Sequence, residues 1–276
     1  MSEWKEYKLQ DVVSKLGDGL HGTPQYDVNG DYFFINGNNL VDGKIVIKEN
    51  TQRVSHTEYL KYKKELSDRT ILLGINGTIG NIAIYNNEKC VLGKSACYFN
   101  VKNEVDKHFI KYVVTNKHFQ DYIETFAHGT TIMNVSLQTV REYTFKLPPL
   151  PEQIQIASIL TSLDNKIDLL HRQNKTLEQL AETLFRQWFV AEEWKGSLSE
   201  YVKVQGGYAF KSKDFKETGY AGIIKITNIS MRIIDISKSD FVDESVVKNL
   251  DKRFKIKSGD FLIAMTGAEI GKIGVV

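Results

Sequence analysis

Proline, cysteine and long apolar runs are scarce in this chain. Its 276 residues include 4 prolines and 2 cysteines, and no apolar run reaches the roughly 18 residues that a membrane-spanning helix needs. Cys90 and Cys97 match no zinc-ligand spacing and provide no disulfide framework. The opening Met1–Gln10 is too polar for a signal peptide. These absences predict a cytoplasmic protein with no membrane contact.

Motifs that carry catalysis are also missing. The sequence has no P-loop, no G-x-S-x-G, no H-x-x-x-H or C-x-x-C pattern and no methyl-donor motif. Asp164 and Asp168 are one helical turn apart, and their positions favour a solvated charged surface over an acid pair. His21 and His128 lie in glycine-rich loops, where a turn role suits them as well as catalysis. We therefore predict no catalytic residue, no metal site and no cofactor in this chain.

The net charge of the chain does not indicate what kind of partner it binds. The 36 basic and 34 acidic residues leave a net charge of +2, whereas a nucleic-acid-binding domain often has a strong basic excess. Basic side chains can still gather on one face of a nearly neutral protein. The composition therefore neither indicates nor excludes DNA as a partner.

Three glycines near the start, Gly17, Gly19 and Gly22, spell G-x-G-x-x-G. In a dinucleotide-binding fold this motif joins a strand to a helix whose N-terminal amides hold a pyrophosphate. Here Thr23, Pro24 and a polar run follow, with no helical periodicity for thirty residues. The pattern favours a glycine-rich loop over a nucleotide site.

The strongest pattern is a heptad repeat over residues 151–191. Pro151 suits the first turn of a helix, and Glu152 beside it suits the positive end of the helix dipole. Apolar side chains then alternate in steps of three and four, which is typical of a coiled coil. After Ile156, the seam consists of Leu160, Leu163, Ile167, Leu170, Asn174, Leu177, Ala181, Leu184 and Trp188.

Such a helix would be a rod of roughly 60 Å and cannot bury its seam alone. It needs a partner helix from this chain or another. Asn174, the polar residue in the seam, fits either a tolerated surface position or a device that fixes register and orientation. We favour the second interpretation.

The segments on either side of the rod resemble each other. Glu3–Lys5 recurs at Glu193–Lys195, and Phe34–Asn39 matches the region of Ile224–Ile229 with Asn38 opposite Asn228. The segment 70–85 matches 260–276 with one residue inserted after Gly77 and its counterpart Gly267. We therefore predict a domain over 1–150, a long helix over 151–191, and the first part of a second copy over 192–276.

The repeated domain mixes short strands with a few helices. Strand composition and turn-like boundaries mark "DYFFI", "KIVI", "RTILLGI", "NIAIY" and "ACYFNV". Asp106 is predicted to cap a helix running to about Ala127, and Ser136 to cap a shorter one. The aromatic residues follow core spacing, so they are not interpreted as a base-stacking surface. The fold class is α+β.

The arrangement resembles the DNA specificity subunit of Type I restriction–modification systems, and the resemblance runs through all 276 residues. The most specific feature is "LPPLPEQ" followed by the heptad helix. Further matching segments are Asp18–Leu40, Asn76–Tyr85, Lys146–Asp168 and Gly206–Tyr220.

The resemblance implies two target-recognition domains, each reading half of a bipartite sequence in double-stranded DNA, held apart by two long helices paired as an antiparallel coiled coil. It also implies docking of methyltransferase (M) subunits and, in the full complex, a restriction (R) subunit. Methylation with S-adenosylmethionine and ATP- and Mg-dependent cleavage would reside in those partners. The specificity chain itself would carry no catalytic group.

Polar side chains on glycine-containing loops are the candidates for reading base edges, where donors and acceptors distinguish base pairs. The candidates are His21, Thr23, Gln25, Tyr26, Asn38, Asn39, Asn76, Thr78, Lys94, Ser95, Thr130, Thr131 and Asn134. Gln25, Asn38 and Asn39 fit turn-capping roles equally well. Lys94, Lys107 and Lys111 are predicted to hold phosphates rather than to read bases.

One departure separates this chain from the family pattern. It contains one helix where the family has two, and its second recognition domain stops early at Val276. We expect a subunit truncated in that domain, which folds poorly or is complemented by another chain. Because the heptad helix has no second long helix in this chain to pair with, we predict an antiparallel homodimer that reads an inverted repeat. The alternatives are a decoy that occupies methyltransferases unproductively and a coiled-coil scaffold without a DNA role.

Overall fold

The computed structural model of the chain describes residues 4–129, 133–190, 196–230, 232–267 and 270–276. It divides into two units, Met1–Phe185 and Arg186–Val276. The long helix therefore groups with the domain that precedes it. No helix among the described residues is long and apolar enough to cross a membrane.

A four-stranded antiparallel sheet of order β2-β10-β7-β8 organises the first unit. The strands of this unit are β1 (Lys5–Lys8), β2 (Val13–Asp18), β3 (Tyr32–Ile35), β4 (Leu40–Val41), β5 (Lys44–Ile45), β6 (Arg53–Val54), β7 (Thr70–Gly74), β8 (Ile82–Ile84), β9 (Cys90–Leu92), β10 (Ala96–Val101) and β11 (Thr144–Leu147). Strand β3 lies between β6 and β9 in a second sheet, while β1 pairs with β11 and β4 with β5. The strands predicted from composition are confirmed, although "KIVI" forms a strand only over its first two residues.

Alternation along β7 builds a core on both faces of the sheet. Ile71 and Leu73 pack in one buried cluster with Phe99 and the helical residue Phe119. Leu72, which points to the opposite face, packs in a second cluster with the strands of the neighbouring sheet. The period of two in a strand places successive side chains on opposite faces. Every residue of β7 is buried as a result.

The helices of the first unit confirm the predicted caps and correct one boundary. They are α1 (Leu9–Val12), α2 (His56–Tyr62), α3 (Lys107–Thr115), α4 (Lys117–Thr125), α5 (Leu137–Glu142) and α6 (Leu150–Phe185). Asp106 accepts from the Phe109 amide at 2.8 Å, and Ser136 accepts from the Thr139 amide at 3.0 Å.

The single helix predicted from Asp106 to about Ala127 was wrong. Asn116 interrupts it with an extended backbone (φ −62°, ψ 145°), and its side chain accepts from the His118 amide at 2.7 Å. An asparagine that can cap a new helix competes with continuation of the old one, and here the cap is formed.

The long helix α6 begins at Leu150, one residue before the predicted start, and its 36 residues span about 54 Å. From Arg186 to Val190 the backbone widens into a π-helical turn. Trp188 therefore lies on a turn with a different period from the rest of the seam.

The second unit repeats a hairpin and an asparagine turn of the first. Its elements are β12 (Ala221–Ile223), β13 (Ile229–Ser230), β14 (Arg232–Ile234), β15 (Asp240–Val242), α7 (Glu244–Val247), β16 (Phe261–Ile263) and β17 (Ile273–Val275). In the β7–β8 hairpin the Gly74 amide donates a hydrogen bond to the Asn81 carbonyl at 2.7 Å. In the β16–β17 hairpin the Ala264 amide donates to the Lys272 carbonyl at 2.8 Å. The second hairpin is one residue longer, as the predicted insertion requires.

A buried asparagine turn recurs in both units and corrects the predicted alignment. The Asn39 side chain accepts from the Asn36 amide at 3.0 Å, and the Asn228 side chain accepts from the Lys225 amide at 2.8 Å. Both asparagines are buried, at 4% and 1% exposure. Asn228 therefore corresponds to Asn39, whereas the sequence comparison placed it opposite Asn38.

Asn39→Ala is expected to lower the free energy of unfolding by about 1–3 kcal/mol, because it leaves buried backbone groups without their partners. The lost hydrogen bonds include those that the side-chain Nδ2 of Asn39 donates to the Val46 carbonyl and to Thr51 Oγ1, both 3.1 Å. Urea denaturation measures the change. Asn38→Ala is the control, since Asn38 is exposed; equal midpoints for the two variants would contradict the role of Asn39.

Candidate nucleic-acid interface

The glycine motif begins in the last residues of β2, and its second glycine allows close backbone packing. The Leu20 amide donates to the Leu92 carbonyl at 2.7 Å, and Leu20 forms a parallel bridge with Gly93. A Cβ on Gly19 would overlap the carbonyl oxygens of Leu92 and Gly93, whereas a Cβ on Gly22 would meet nothing within 4 Å. Residues 19–31, all of them described, contain no helix. The structure therefore agrees with a loop and provides no helix N-terminus for a phosphate.

Helix α2 holds the loop that follows. The Gln25 amide donates to the Glu58 carboxylate at 3.0 Å, and Lys61 donates to the other oxygen of that carboxylate at 2.6 Å. The hydrogen bond from Lys61, followed by that from Gln25, lowers the pKa of Glu58. The Tyr26 ring packs edge-on against Phe34 at 5.8 Å between centroids. The loop is therefore anchored at its far end.

The predicted side chains of this loop face outward. His21, Thr23, Gln25 and Tyr26 are all exposed, and His21 contacts Asp18. Because their backbone is anchored, these side chains are presented to solvent from a defined position.

Two further predicted loops contact each other at the end of β7. The Gly77 amide donates to the Met133 carbonyl at 3.0 Å, and Asn76 Nδ2 donates to Asn134 Oδ1 at 3.2 Å. Thr78 is half-buried beside them. Thr130 and Thr131 lie outside the described residues, so their placement stays a prediction.

The turn at Gly37 connects these loops. A Cβ there would come within 3.2 Å of the carbonyl oxygens of both Ser95 and Thr78. Five loops distant in sequence thus lie next to one another, and we call them the loop edge. The loop edge consists of residues 18–26, 36–39, 75–80, 93–95, 128–129 and 133–134.

Two predicted residues hold the loop edge together from inside. Ser95 Oγ donates to Asn36 Oδ1 at 2.9 Å and accepts from the Gly37 amide at 3.0 Å. Asn39 is buried in its turn, which matches the capping alternative for this residue. Neither side chain reaches a base without breaking these bonds. Asn38 and Lys94, in contrast, are exposed.

Two lysines predicted to hold phosphates are engaged elsewhere. Lys111 Nζ lies 2.5 Å from the Asp164 carboxylate with its side chain only 13% exposed. Lys107 Nζ donates to the Asp68 carbonyl at 2.5 Å. Ion pairing and burial place Lys111 against α6, which argues against the predicted phosphate role of this lysine.

The N-terminal half of α6 is fastened to the rest of the first unit along one polar stripe. Gln153, 2% exposed, accepts from the Asp106 amide at 2.9 Å and donates to the Pro148 carbonyl at 2.8 Å. About three and four turns further along, Asp164 binds Lys111 and Tyr112, and Asp168 binds Lys44. The two aspartates, predicted to be a solvated surface, therefore join the helix to the domain.

Loss of the Asp164 charge is expected to loosen this junction. Burial alone would raise the pKa of Asp164, but hydrogen bonds from Lys111 and Tyr112 outweigh it and lower the pKa. The stabilisation is present above the ordinary carboxyl pKa near 4 and is lost as pH falls through the lowered value. Asp164→Asn should therefore cost about 1 kcal/mol at neutral pH, a value discounted for the 49% exposure of the carboxylate.

Urea denaturation between pH 7 and pH 3 tests this expectation. The difference between Asp164→Asn and the unmodified chain should shrink below about pH 4. Glu178→Gln removes the same charge from an exposed site of the same helix and serves as the control. A cost that is the same at every pH would show that the carboxylate charge plays no part.

The apolar seam of α6 lies on another face and is open. Leu163, Leu170 and Leu177 are 55%, 44% and 61% exposed. Ile167 and Trp188 are 51% and 61% exposed, and Asn174 and Ala181 are exposed as well. Leu160 and Leu184 are half-buried. The helix thus has one face used by its own domain and a second, apolar face available to a partner.

The fold and this site define a class of protein in which a domain with a polar loop edge is followed by a long helix. The chain belongs to the family of the Type I restriction modification DNA specificity domain, whose model matches residues 1–179. Its function is accordingly that of a specificity subunit, and the resemblance found in the sequence is confirmed.

Relatives and solved structures agree with this membership. The Type I restriction enzyme MjaVIII specificity subunit of Methanocaldococcus jannaschii is 25% identical over 99% of this chain and 67% of its own length. The HindI specificity subunit of Haemophilus influenzae is 26% identical over 69% of this chain and 41% of its own length. The crystal structure of a Type I S subunit from M. genitalium has a TM-score of 0.51 at 18% identity, covering 99% of this chain and 68% of that one. The last comparison confirms the α+β fold with its long helix.

Proposed function

We propose that this chain selects the DNA sequence at which a Type I complex acts, with the loop edge facing the base edges. The observation that carries the proposal is the gathering of five polar, glycine-containing loops at one end of the central sheet. His21, Gln25, Tyr26, Asn38 and Asn134 present exposed donors and acceptors there. Such groups distinguish base pairs in the major groove, whereas a smooth apolar surface cannot.

The catalytic steps are assigned to partners in this proposal. Methyltransferase subunits would supply methylation with S-adenosylmethionine, and a restriction subunit would supply ATP- and Mg-dependent cleavage. This chain would contribute binding and orientation alone, and it would act in the cytoplasm, where these partners meet DNA. The open face of α6 supports the proposal because an assembly subunit needs a surface for its partners.

The open seam also favours a second copy of this chain as one partner of α6. Leu163, Leu170 and Leu177 repeat along about 21 Å of helix, and a heptad seam of this kind is buried by another helix with the same spacing. An antiparallel pair would carry two identical loop edges related by a twofold axis. The DNA target of such a pair would be an inverted repeat.

The proposal is tested by selection from a library of randomised DNA duplexes. The full chain, co-purified with a Type I methyltransferase subunit, should enrich one motif after several rounds, and the motif should be an inverted repeat if the chain pairs with itself. An asymmetric bipartite motif would contradict self-pairing while supporting recognition. A co-purified complex that enriches no motif would contradict the proposed function.

A further inference from the structure

A basic segment that the sequence analysis did not single out lies beside the first loop of the loop edge. Lys61, Lys63 and Lys64 fall at the end of α2 and just beyond it. Together with Tyr62 and Leu20 they line a shallow cavity of about 110 Å³. Helix α2 thus holds the loop through Glu58 and brings its lysines to the start of the same loop.

The acidic groups around this segment are already engaged. Glu58 pairs with Lys61 at 2.6 Å, and Glu65 pairs with Lys15 at 2.7 Å. Asp18 contacts His21. Glu58, Glu65 and Asp18 are therefore each paired with a basic side chain other than Lys63 and Lys64.

Lys63, Lys64 and Lys94 are the lysines of interest beside this loop. Lys63 and Lys94 are exposed and Lys64 is half-buried, and none of the three forms an ion pair within the described part of the chain. Lys94 follows Gly93, which bridges Leu20, so it lies next to the same loop. A positive strip therefore lies beside the start of the loop that presents His21 and Gln25.

We propose that Lys63, Lys64 and Lys94 form a phosphate-binding strip that holds the DNA backbone while the adjoining loop faces the bases. This inference rests on the proposed function and adds to it the residues that bind the backbone. Lysine–phosphate contacts supply affinity and register but carry no sequence information. The strip therefore sets how the loop is placed on the duplex, and the loop sets which bases are read.

The salt dependence of DNA binding distinguishes lysines that contact phosphates from lysines that only add positive charge to the protein. Each phosphate contact releases counterions and contributes about 0.9 to the slope of log K against log salt. Lys63→Gln/Lys64→Gln should therefore lower the magnitude of the slope by close to 2 on a labelled duplex of random sequence. Lys5→Gln/Lys146→Gln removes the same charge from exposed positions on the β1–β11 ribbon and should leave the slope unchanged.

The measurement uses the full chain at several salt concentrations, after urea denaturation has shown equal midpoints for all variants. Equal slopes for the unmodified chain and Lys63→Gln/Lys64→Gln would overturn the strip while leaving the proposed function standing. An equal decrease of the salt slope in Lys63→Gln/Lys64→Gln and in Lys5→Gln/Lys146→Gln would overturn the strip as well, because the decrease would then follow from net charge. No measurable duplex binding by the unmodified chain, with or without a methyltransferase subunit, would overturn the proposed function and the strip together.

Discussion

Leu170→Glu is expected to prevent α6 from pairing with a partner helix, whereas Leu169→Glu is expected to leave pairing intact. The two leucines are neighbours with nearly equal exposure, 44% and 41%, but only Leu170 belongs to the heptad seam. A carboxylate forced into a helix–helix core without a partner costs about 3–5 kcal/mol. Association should weaken by at least about a hundredfold, since about 1.4 kcal/mol corresponds to tenfold.

Sedimentation velocity of the full chain measures self-association, and co-purification measures binding to a methyltransferase subunit. Leu169→Glu should resemble the unmodified chain in both, because exposed substitutions usually change stability by less than about 0.5 kcal/mol. Loss of self-association alone would assign the seam to a second copy, and loss of co-purification alone would assign it to the methyltransferase. Identical behaviour of the two variants would contradict any partner on this face.

Gly19→Ala is expected to displace the first loop of the loop edge and to weaken DNA binding, and Gly22→Ala is expected to do neither. The added methyl at Gly19 would overlap backbone oxygens of Leu92 and Gly93, which cannot rotate away as a side chain would. Overpacking of this kind costs about 1–3 kcal/mol. If the shift removes even one base contact, worth about 1–3 kcal/mol, binding should fall by about ten- to hundredfold.

Fluorescence anisotropy on the selected target duplex measures the loss, and urea denaturation measures the accompanying instability. Gly22 is exposed with open space around it, so the same substitution there controls for the change of residue type. Equal target affinity of Gly19→Ala and Gly22→Ala would show that the loop position does not matter for recognition.

Local rules predicted much of this fold because the signals lie close together along the chain. The caps at Asp106 and Ser136 and the heptads of α6 each depend on neighbours within a few residues. The repeated hairpin was recognisable because its glycines keep their order, and Gly80 and Gly271 both have positive φ, at 85° and 88°. The break at Asn116 was missed because asparagine is tolerated inside a helix and also caps one, and only packing decides between them.

Contacts between distant residues explain what the sequence could not predict. Asp168 lies 124 residues from its partner Lys44, and Asp164 lies 53 residues from Lys111. These ion pairs form only because the fold brings the N-terminal half of α6 against the domain, and no local sequence pattern encodes that packing. The same holds for Gly19, whose need for a small residue comes from strand β9 and the turn after it.

The most direct test of the central claim is a map of methylated sites in a bacterial host that expresses a Type I methyltransferase subunit with or without this chain. Long-read sequencing should detect one new methylated motif when the full chain is present and none when it is absent, and Gly19→Ala should diminish methylation at that motif while Gly22→Ala preserves it. An unchanged methylation pattern, with the chain and the methyltransferase subunit shown to co-purify, would contradict the conclusion that this chain chooses the DNA sequence.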